Sequence, residues 1–184
     1  MKTGKIVYQG KSKLGKEIIF RYPTKKDLRS VWEYINVLSK EQTFILFQEE
    51  KISLGEEKEW LDGMLKKINQ DKAVQLFVFV NEQLAGVSDI VMKDKAEKHV
   101  GIFGITIAKS FRNEGIGTLL MKRIIEEAKQ HLKELKILTL TCFADNKIAI
   151  KLYKKMGFVE YGKLPKGLIR KGKFTDHIYM FKEV

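Results

Sequence analysis

The sequence contains few of the residues that build disulfides and metal sites. One cysteine, Cys142, and three histidines occur among 184 residues. A single cysteine excludes an intramolecular disulfide and a multi-cysteine zinc site, so we expect no metal. The N-terminal residues lack the apolar core of a secretory signal, and no run approaches the roughly 20 apolar residues that span a bilayer. These features favour a cytoplasmic protein without a membrane partner.

Linker-like sequence is also scarce. The two prolines, Pro23 and Pro165, lie outside any stretch rich in glycine, serine or proline, and the chain has no internal repeat. A chain of this length can form one domain with a sizeable core. We therefore expect a single domain over residues 1–184, with its core at about 16–184.

Acidic residues are fewer than basic ones. The chain has 35 lysines and arginines against 23 acidic residues, which gives a net charge of +12 with histidine neutral. A basic surface attracts anionic partners through its long-range field. The lysines are spread along the chain and no recognition motif accompanies them, so we expect no specific nucleic-acid partner. A basic RNA- or ribosome-binding domain remains an alternative that charge alone supports.

The apolar pattern alternates between strand and helix periods. Strands are predicted at 17–22, 73–80, 84–92, 99–108, 136–143, 158–162 and 174–184. Helices are predicted at 25–40, 52–69, 115–131 and 146–156. The second helix is expected to bury a stripe made of Trp60, Met64, Leu65 and Ile68. The order of these elements indicates an α/β fold with a mixed sheet.

The segment SFRNEGIGTLLM, residues 110–121, places two glycines where a helix begins. A helix N-terminus has backbone N–H groups without partners and a partial positive charge, so it binds phosphates readily. Gly115 and Gly117 lack the β-carbons that would hold a phosphate away. We predict that Arg112 and the amides of 113–118 face a pyrophosphate. The P-loop pattern is absent, and Leu120 replaces the third glycine of a dinucleotide site.

The pattern R-x-x-G-x-G at residues 112–117 resembles the acetyl-CoA motif of the GNAT superfamily of N-acetyltransferases, which reads Q/R-x-x-G-x-G/A. A second motif of that family is matched further along the chain by Asn146, Ala149, Tyr153, Gly157 and Phe158. The resemblance implies an α/β, GNAT-type acyl-CoA N-acyltransferase fold with a mixed, mostly antiparallel sheet flanked by helices. It also implies an acyltransferase that uses acetyl-CoA as co-substrate.

The same resemblance implies a site between the strand around 105–107 and the strand around 139–142. The Ile107 N–H would hold the thioester carbonyl and stabilise the tetrahedral intermediate of direct amine attack. Tyr153 would act as general acid toward the leaving thiolate, and Asn146 would orient the cofactor. The predicted cofactor-binding residues are Ile105, Thr106, Ile107, Arg112, Asn113, Glu114, Gly115, Ile116, Gly117, Thr118, Asn146 and Tyr153.

A general base is not evident in the sequence. Some family members carry a carboxylate on the strand at 99–107, where this chain has none, and Thr141 stands where some acetylases of protein N-termini carry a glutamate. Water-relayed proton loss is the default, and a side-chain base is sought among His99, His177 and Asp89. Cys142 lies in an apolar strand, so we expect core packing rather than an acetyl-cysteine route.

Two segments are expected to select the acceptor amine: the loop at 44–57 and the last hairpin at 162–180. Glu49 and Glu50 either face a cationic amine or cap and solvate the second helix. The hairpin carries positive charges that would repel a polyamine, at Lys163, Lys166, Arg170, Lys171 and Lys173. We therefore rank a protein or peptide N-terminus, or a small neutral or acidic amine, above polyamines. Acetylation of polyamines or aminoglycosides, a non-catalytic acyl-CoA-binding or regulatory module, and a homodimer remain open.

Overall fold

The computed structural model describes residues 2–184, which form a mixed sheet with helices on both faces. The strands are β1 (Ile6–Lys11), β2 (Glu17–Arg21), β3 (Ala73–Val80), β4 (Gln83–Met92), β5 (Val100–Ile107), β6 (Ile137–Phe143), β7 (Val159–Arg170) and β8 (Lys173–Glu183). The helices are α1 (Leu28–Lys40), α2 (Leu54–Asn69), α3 (Ile116–His131) and α4 (Lys147–Lys155). Within residues 2–184, no helix is both long enough and apolar enough to cross a membrane.

The eight strands lie in the order β1-β2-β3-β4-β5-β6-β8-β7. All neighbouring pairs are antiparallel except β5 and β6, which are parallel. A parallel pair needs a crossover connection, and α3 supplies it between β5 and β6. The mostly antiparallel sheet predicted from the sequence is therefore confirmed.

Alternation along β3 divides the core between the two faces of the sheet. Leu76 and Val78 belong to a cluster that includes the apolar side of α3, whereas Phe77 and Phe79 pack with residues of α1 and α2. Successive strand residues point to opposite faces. Helix α3 therefore covers one face of the central strands and α1 covers the other.

The structure differs from the sequence prediction in three elements. β1 was not predicted, yet it pairs with β2 and extends the sheet before residue 16. Trp60 was predicted in the buried stripe of α2, but it is 40% exposed and Leu61 is buried instead. β7 continues through Pro165 to Arg170, well beyond the predicted end at residue 162, with a break in its register after Leu164.

Candidate functional site

The parallel strands β5 and β6 separate before they end. They pair only from Val100 to Ile102 on β5, although β5 continues to Ile107 and β6 to Phe143. Beyond Ile102, β5 keeps its antiparallel partner β4 on one edge and has no strand partner on the other. The result is a gap in the middle of the sheet.

Backbone groups of β5 point into this gap. The Ala108 N–H donates to the Ala85 carbonyl on the β4 side at 2.9 Å. The Ile107 carbonyl, one residue earlier, instead accepts from Arg112 Nε at 2.9 Å. Because backbone groups of alternate residues point to the same edge of a strand, the N–H groups of Ile105 and Ile107 face the gap. This is the donor geometry that the sequence analysis required at Ile107.

A cleft of about 590 Å³ occupies the gap and extends over the start of α3. Ten of the twelve residues predicted to bind the cofactor line it: Ile105, Thr106, Ile107, Arg112, Asn113, Gly115, Gly117, Thr118, Asn146 and Tyr153. Glu114 and Ile116 do not line it, because both side chains are buried elsewhere. The two separate sequence motifs are thus brought to one cleft.

The start of α3 has the backbone conformation that its glycines allow. Gly115 is the residue before the helix and has a φ of 80°, a left-handed value that glycine adopts without strain. A β-carbon on Gly117 would lie 3.7 Å from Ile107 Cγ1, so the bare backbone of Gly117 lies beside the end of β5. Bare amides at a helix N-terminus next to an unpaired strand edge fit a ligand that carries phosphates.

The side chain of Glu114 fixes this turn to the β1–β2 loop. Its carboxylate accepts from Lys16 Nζ at 2.5 Å and from Ser12 Oγ at 2.8 Å. The hydrogen bond from Lys16, then that from Ser12, holds the pKa of Glu114 below its usual range. The Lys13 N–H also donates to the Glu114 carbonyl at 3.1 Å. The side chain of Glu114 therefore shapes the turn, and the contact of its backbone amide with a pyrophosphate stays a prediction.

Arg112 also has protein partners. Besides Nε and the Ile107 carbonyl, its Nη2 lies 3.3 Å from Glu41 Oε2 at the end of α1. These contacts tie the end of β5 to α1. Arg112 still lines the cleft, but its guanidinium is partly committed to holding the wall of the site.

Tyr153 presents a phenol to the cleft from α4. Its ring packs edge-on against Phe103, with centroids 6.2 Å apart, and also contacts Phe158. No group of residues 2–184 forms a hydrogen bond with its hydroxyl. Burial, and secondarily the neighbouring Cys142, raises the pKa of Tyr153 well above its ordinary value. A phenol that stays protonated and has no protein partner can donate to a ligand.

Cys142 packs in the hydrophobic core, and Asn146 caps a helix. Cys142 is buried in the core cluster and also lines the cleft. Burial, and secondarily the charge of Glu160, raises its pKa to about 11, so the thiol stays protonated. Asn146 Oδ1 accepts from the Ala149 N–H at 3.2 Å and caps α4, while its amide nitrogen still has two N–H groups to donate to a ligand.

The three side chains considered as a base lie in different places. His177 lines the cleft, with Nδ1 3.3 Å from the Tyr179 hydroxyl, and burial lowers its pKa. Asp89 lies beside Gly104, whose β-carbon position is 3.3 Å from Asp89 Oδ1. Burial raises the pKa of Asp89 to about 7, and the charge of Lys67 opposes this shift. His99 precedes β5 and does not line the cleft.

One side of the cleft has an apolar wall that the sequence did not indicate. Thr43–Leu46 and Leu168 line it, whereas Glu49 and Glu50 do not. Arg170 stacks over the Phe44 ring at 4.3 Å and pairs with Asp145 at 2.6 Å. The loop at 44–57 therefore contributes apolar contacts to the cleft, and the charge of Arg170 is balanced by a carboxylate.

Comparisons with known proteins agree on one family. The family described as "Acetyltransferase (GNAT) family" matches residues 32–158. The L-amino acid N-acetyltransferase AaaT of Escherichia coli (strain K12) is 35% identical over 107 residues, which cover 58% of this chain and 65% of that protein. The chain thus spans just under two thirds of that relative.

Solved structures extend the similarity to almost the whole chain. An acetyltransferase of the GNAT family from Streptococcus pneumoniae is 31% identical, with a TM-score of 0.82, over 91% of this chain and 100% of that one. The acetyl-CoA complex of yncA, a putative acetyltransferase from Salmonella typhimurium, has a TM-score of 0.78 at 15% identity, over 90% of this chain and 93% of that one. The second likeness concerns the fold alone.

Proposed function

The chain belongs to the GNAT family of acetyl-CoA-dependent N-acetyltransferases, and we propose that it acetylates the α-amine of a small neutral or acidic molecule or of a protein or peptide N-terminus. One observation carries this proposal. The unpaired N–H groups of Ile105 and Ile107, the bare start of α3 and the free phenol of Tyr153 all open on one cleft. Together they offer binding groups for a phosphate-bearing thioester and a proton donor beside it.

The residues of the cleft fit acetyl-CoA. The amides of 115–118 at the start of α3 would hold the diphosphate, and the N–H of Ile105 would pair with the amide-rich pantetheine arm. When bound, acetyl-CoA supplies an acetyl group activated as a thioester. The Ile107 N–H would donate to the carbonyl oxygen of that thioester and stabilise the negative charge that develops there as the amine attacks directly.

Tyr153 is proposed to protonate the departing thiolate. Its raised pKa keeps the hydroxyl protonated across the working range, and no group among residues 2–184 competes for its proton. The packing of its ring on Phe103 and Phe158 holds the hydroxyl at the wall of the cleft. Tyr153 is therefore a proton donor whose position is set by the aromatic core.

The incoming ammonium must lose a proton before it attacks. Among the three side chains considered, His177 is the one that lines the cleft. Its lowered pKa makes the imidazole neutral near pH 7, so it can accept a proton directly or through water. We include His177 in the proposal as the base, with relay through water as its alternative.

The α-amine is favoured as acceptor for two reasons. An α-amine has a pKa of about 7.7–8.0, so much of it is neutral near pH 7, whereas an alkylamine such as lysine is almost fully protonated. The relative from Escherichia coli is named for L-amino acids, which carry this group. The wall at Thr43–Leu46 and Leu168 offers apolar contacts for the side chain next to the amine. A single domain, a cytoplasmic location and a homodimer remain predictions.

A binding and turnover experiment tests the proposal. Acetyl-CoA should raise the melting temperature of the protein, because a ligand that binds only the native state stabilises it. Thiol release should then follow with at least one member of a panel of amino acids and N-terminal peptides, and more slowly with polyamines. Binding without turnover on any acceptor would favour a non-catalytic module, and absence of binding would overturn the assignment.

A further inference from the structure

The β1–β2 loop lays a lysine side chain on the turn that begins α3. A β-carbon built on Gly115 would lie 3.0 Å from Lys13 Cε, 3.1 Å from Cγ and 3.2 Å from Cδ. The Cγ, Cδ and Cε atoms of Lys13 therefore lie over Gly115. Since Nζ is one bond beyond Cε, the ammonium can reach the first turn of the helix.

The loop that carries Lys13 is held in this place by contacts on both sides of the residue. Ser12 and Lys16 both donate to the buried Glu114 carboxylate, and the Lys13 N–H donates to the Glu114 carbonyl. These hydrogen bonds join residues that are about a hundred positions apart in the sequence. They fix the β1–β2 loop, and with it the backbone of Lys13, against the turn before α3.

The charges around Lys13 leave its ammonium available. The one acidic side chain in this turn, Glu114, is already paired with Lys16. Within residues 2–184, Lys13 takes part in no ion pair, and its side chain is exposed. An unneutralised cation beside helix amides attracts an anion more strongly than the amides do alone.

On the basis of the proposed function, we propose that Lys13 is a coenzyme-binding residue whose ammonium contacts the diphosphate of acetyl-CoA at the N-terminus of α3. The β1–β2 hairpin, which lies outside both sequence motifs, then adds a positive charge to the phosphate site. A lysine acts there as a compact positive charge with three donors. The contact strengthens coenzyme binding and takes no part in proton transfer.

The test compares Lys13→Met with wild type by calorimetric titration of CoA and of dephospho-CoA, which lacks the 3′-phosphate. Methionine keeps the apolar contact with Gly115 and removes the charge. We expect Lys13→Met to bind both ligands about 10-fold more weakly at low salt, with a difference that shrinks as salt is added. Lys13→Arg should restore most of the affinity. Lys11→Met, in the same hairpin, should bind like wild type.

A phosphate-free substrate gives a second readout. For acetyl-pantetheine, kcat/KM should be the same in Lys13→Met and wild type, because that thioester has no diphosphate. Equal affinity of Lys13→Met and wild type for CoA would overturn the inference and leave the proposed function intact. A loss seen with CoA but not with dephospho-CoA would overturn the diphosphate contact. Wild type that binds neither ligand would overturn the proposed function itself.

Discussion

Replacement of Tyr153 by phenylalanine removes the proposed proton donor, its hydroxyl group, and keeps the ring. The ring contacts with Phe103 and Phe158 remain, and the hydroxyl has no hydrogen-bond partner among residues 2–184. The free energy of unfolding should therefore change little. A hydrogen bond to a charged group contributes about 1.5–3 kcal/mol. If Tyr153 donates to the departing thiolate, kcat should fall about 10- to 150-fold, while affinity for CoA stays within about twofold.

The assay is thiol release under saturating acetyl-CoA, with CoA affinity measured by calorimetry. Because burial raises the pKa of Tyr153, the loss should be the same from about pH 6 to about pH 9. Tyr22→Phe is the matched control. Tyr22 is a buried tyrosine whose hydroxyl donates to Glu127 at 2.9 Å, and neither residue lines the cleft. That variant should lose about 1–2 kcal/mol of stability and keep its kcat. An unchanged kcat in Tyr153→Phe would refute Tyr153 as the acid.

Three further substitutions have expected outcomes. His177→Gln should lower kcat/KM more for an alkylamine acceptor than for an α-amine, because the more basic amine depends more on a base. Equal losses for the two acceptors in steady-state kinetics would show that His177 is not the general base. Asp27 accepts two hydrogen bonds from Arg21, at 2.6 and 2.8 Å. Asp27→Ala should therefore lower the free energy of unfolding, measured in urea, by about 3 kcal/mol. A loss below about 1 kcal/mol would contradict the importance of this ion pair. Burial raises the pKa of Asp89 to about 7, so the folded state keeps a proton that the unfolded state releases above about pH 4. Stability should therefore fall as pH rises from about 4 to 7. Asp89→Asn should reduce that fall when urea unfolding is compared at pH 5 and pH 8, and an identical fall in both proteins would show that Asp89 is not responsible.

The sequence predicted the parts of the site that depend on local pattern. Gly115 lies just before α3 with a φ of 80°, which glycine adopts without strain, and the apolar period of α3 follows directly. Asn146 is the N-cap of α4 and Tyr153 lies within that helix, and both line one cleft. Local rules placed these residues, although they did not predict that Asn146 also caps α4.

Contacts between distant residues could not be predicted in this way. The pairing of Ser12 and Lys16 with Glu114 joins positions about a hundred residues apart. It buries the Glu114 side chain and makes it a support for the turn. The contact of Arg112 with Glu41, 71 positions away, was missed for the same reason.

Strand ends were set by position in the sheet. β7 lies at an edge, where a proline removes no ladder hydrogen bond that the sheet requires, so the strand continues through Pro165. β1 forms the opposite edge and has β2 as its one strand partner. Its short run of apolar residues gave no period strong enough to predict.

A crystal structure of the protein with CoA tests the central claim most directly. We predict diphosphate oxygens within hydrogen-bond distance of the backbone N–H groups at residues 115–118, with the sulfur between the Ile107 N–H and the Tyr153 hydroxyl. A coenzyme bound elsewhere, or one whose diphosphate makes no contact with this turn, would contradict the account.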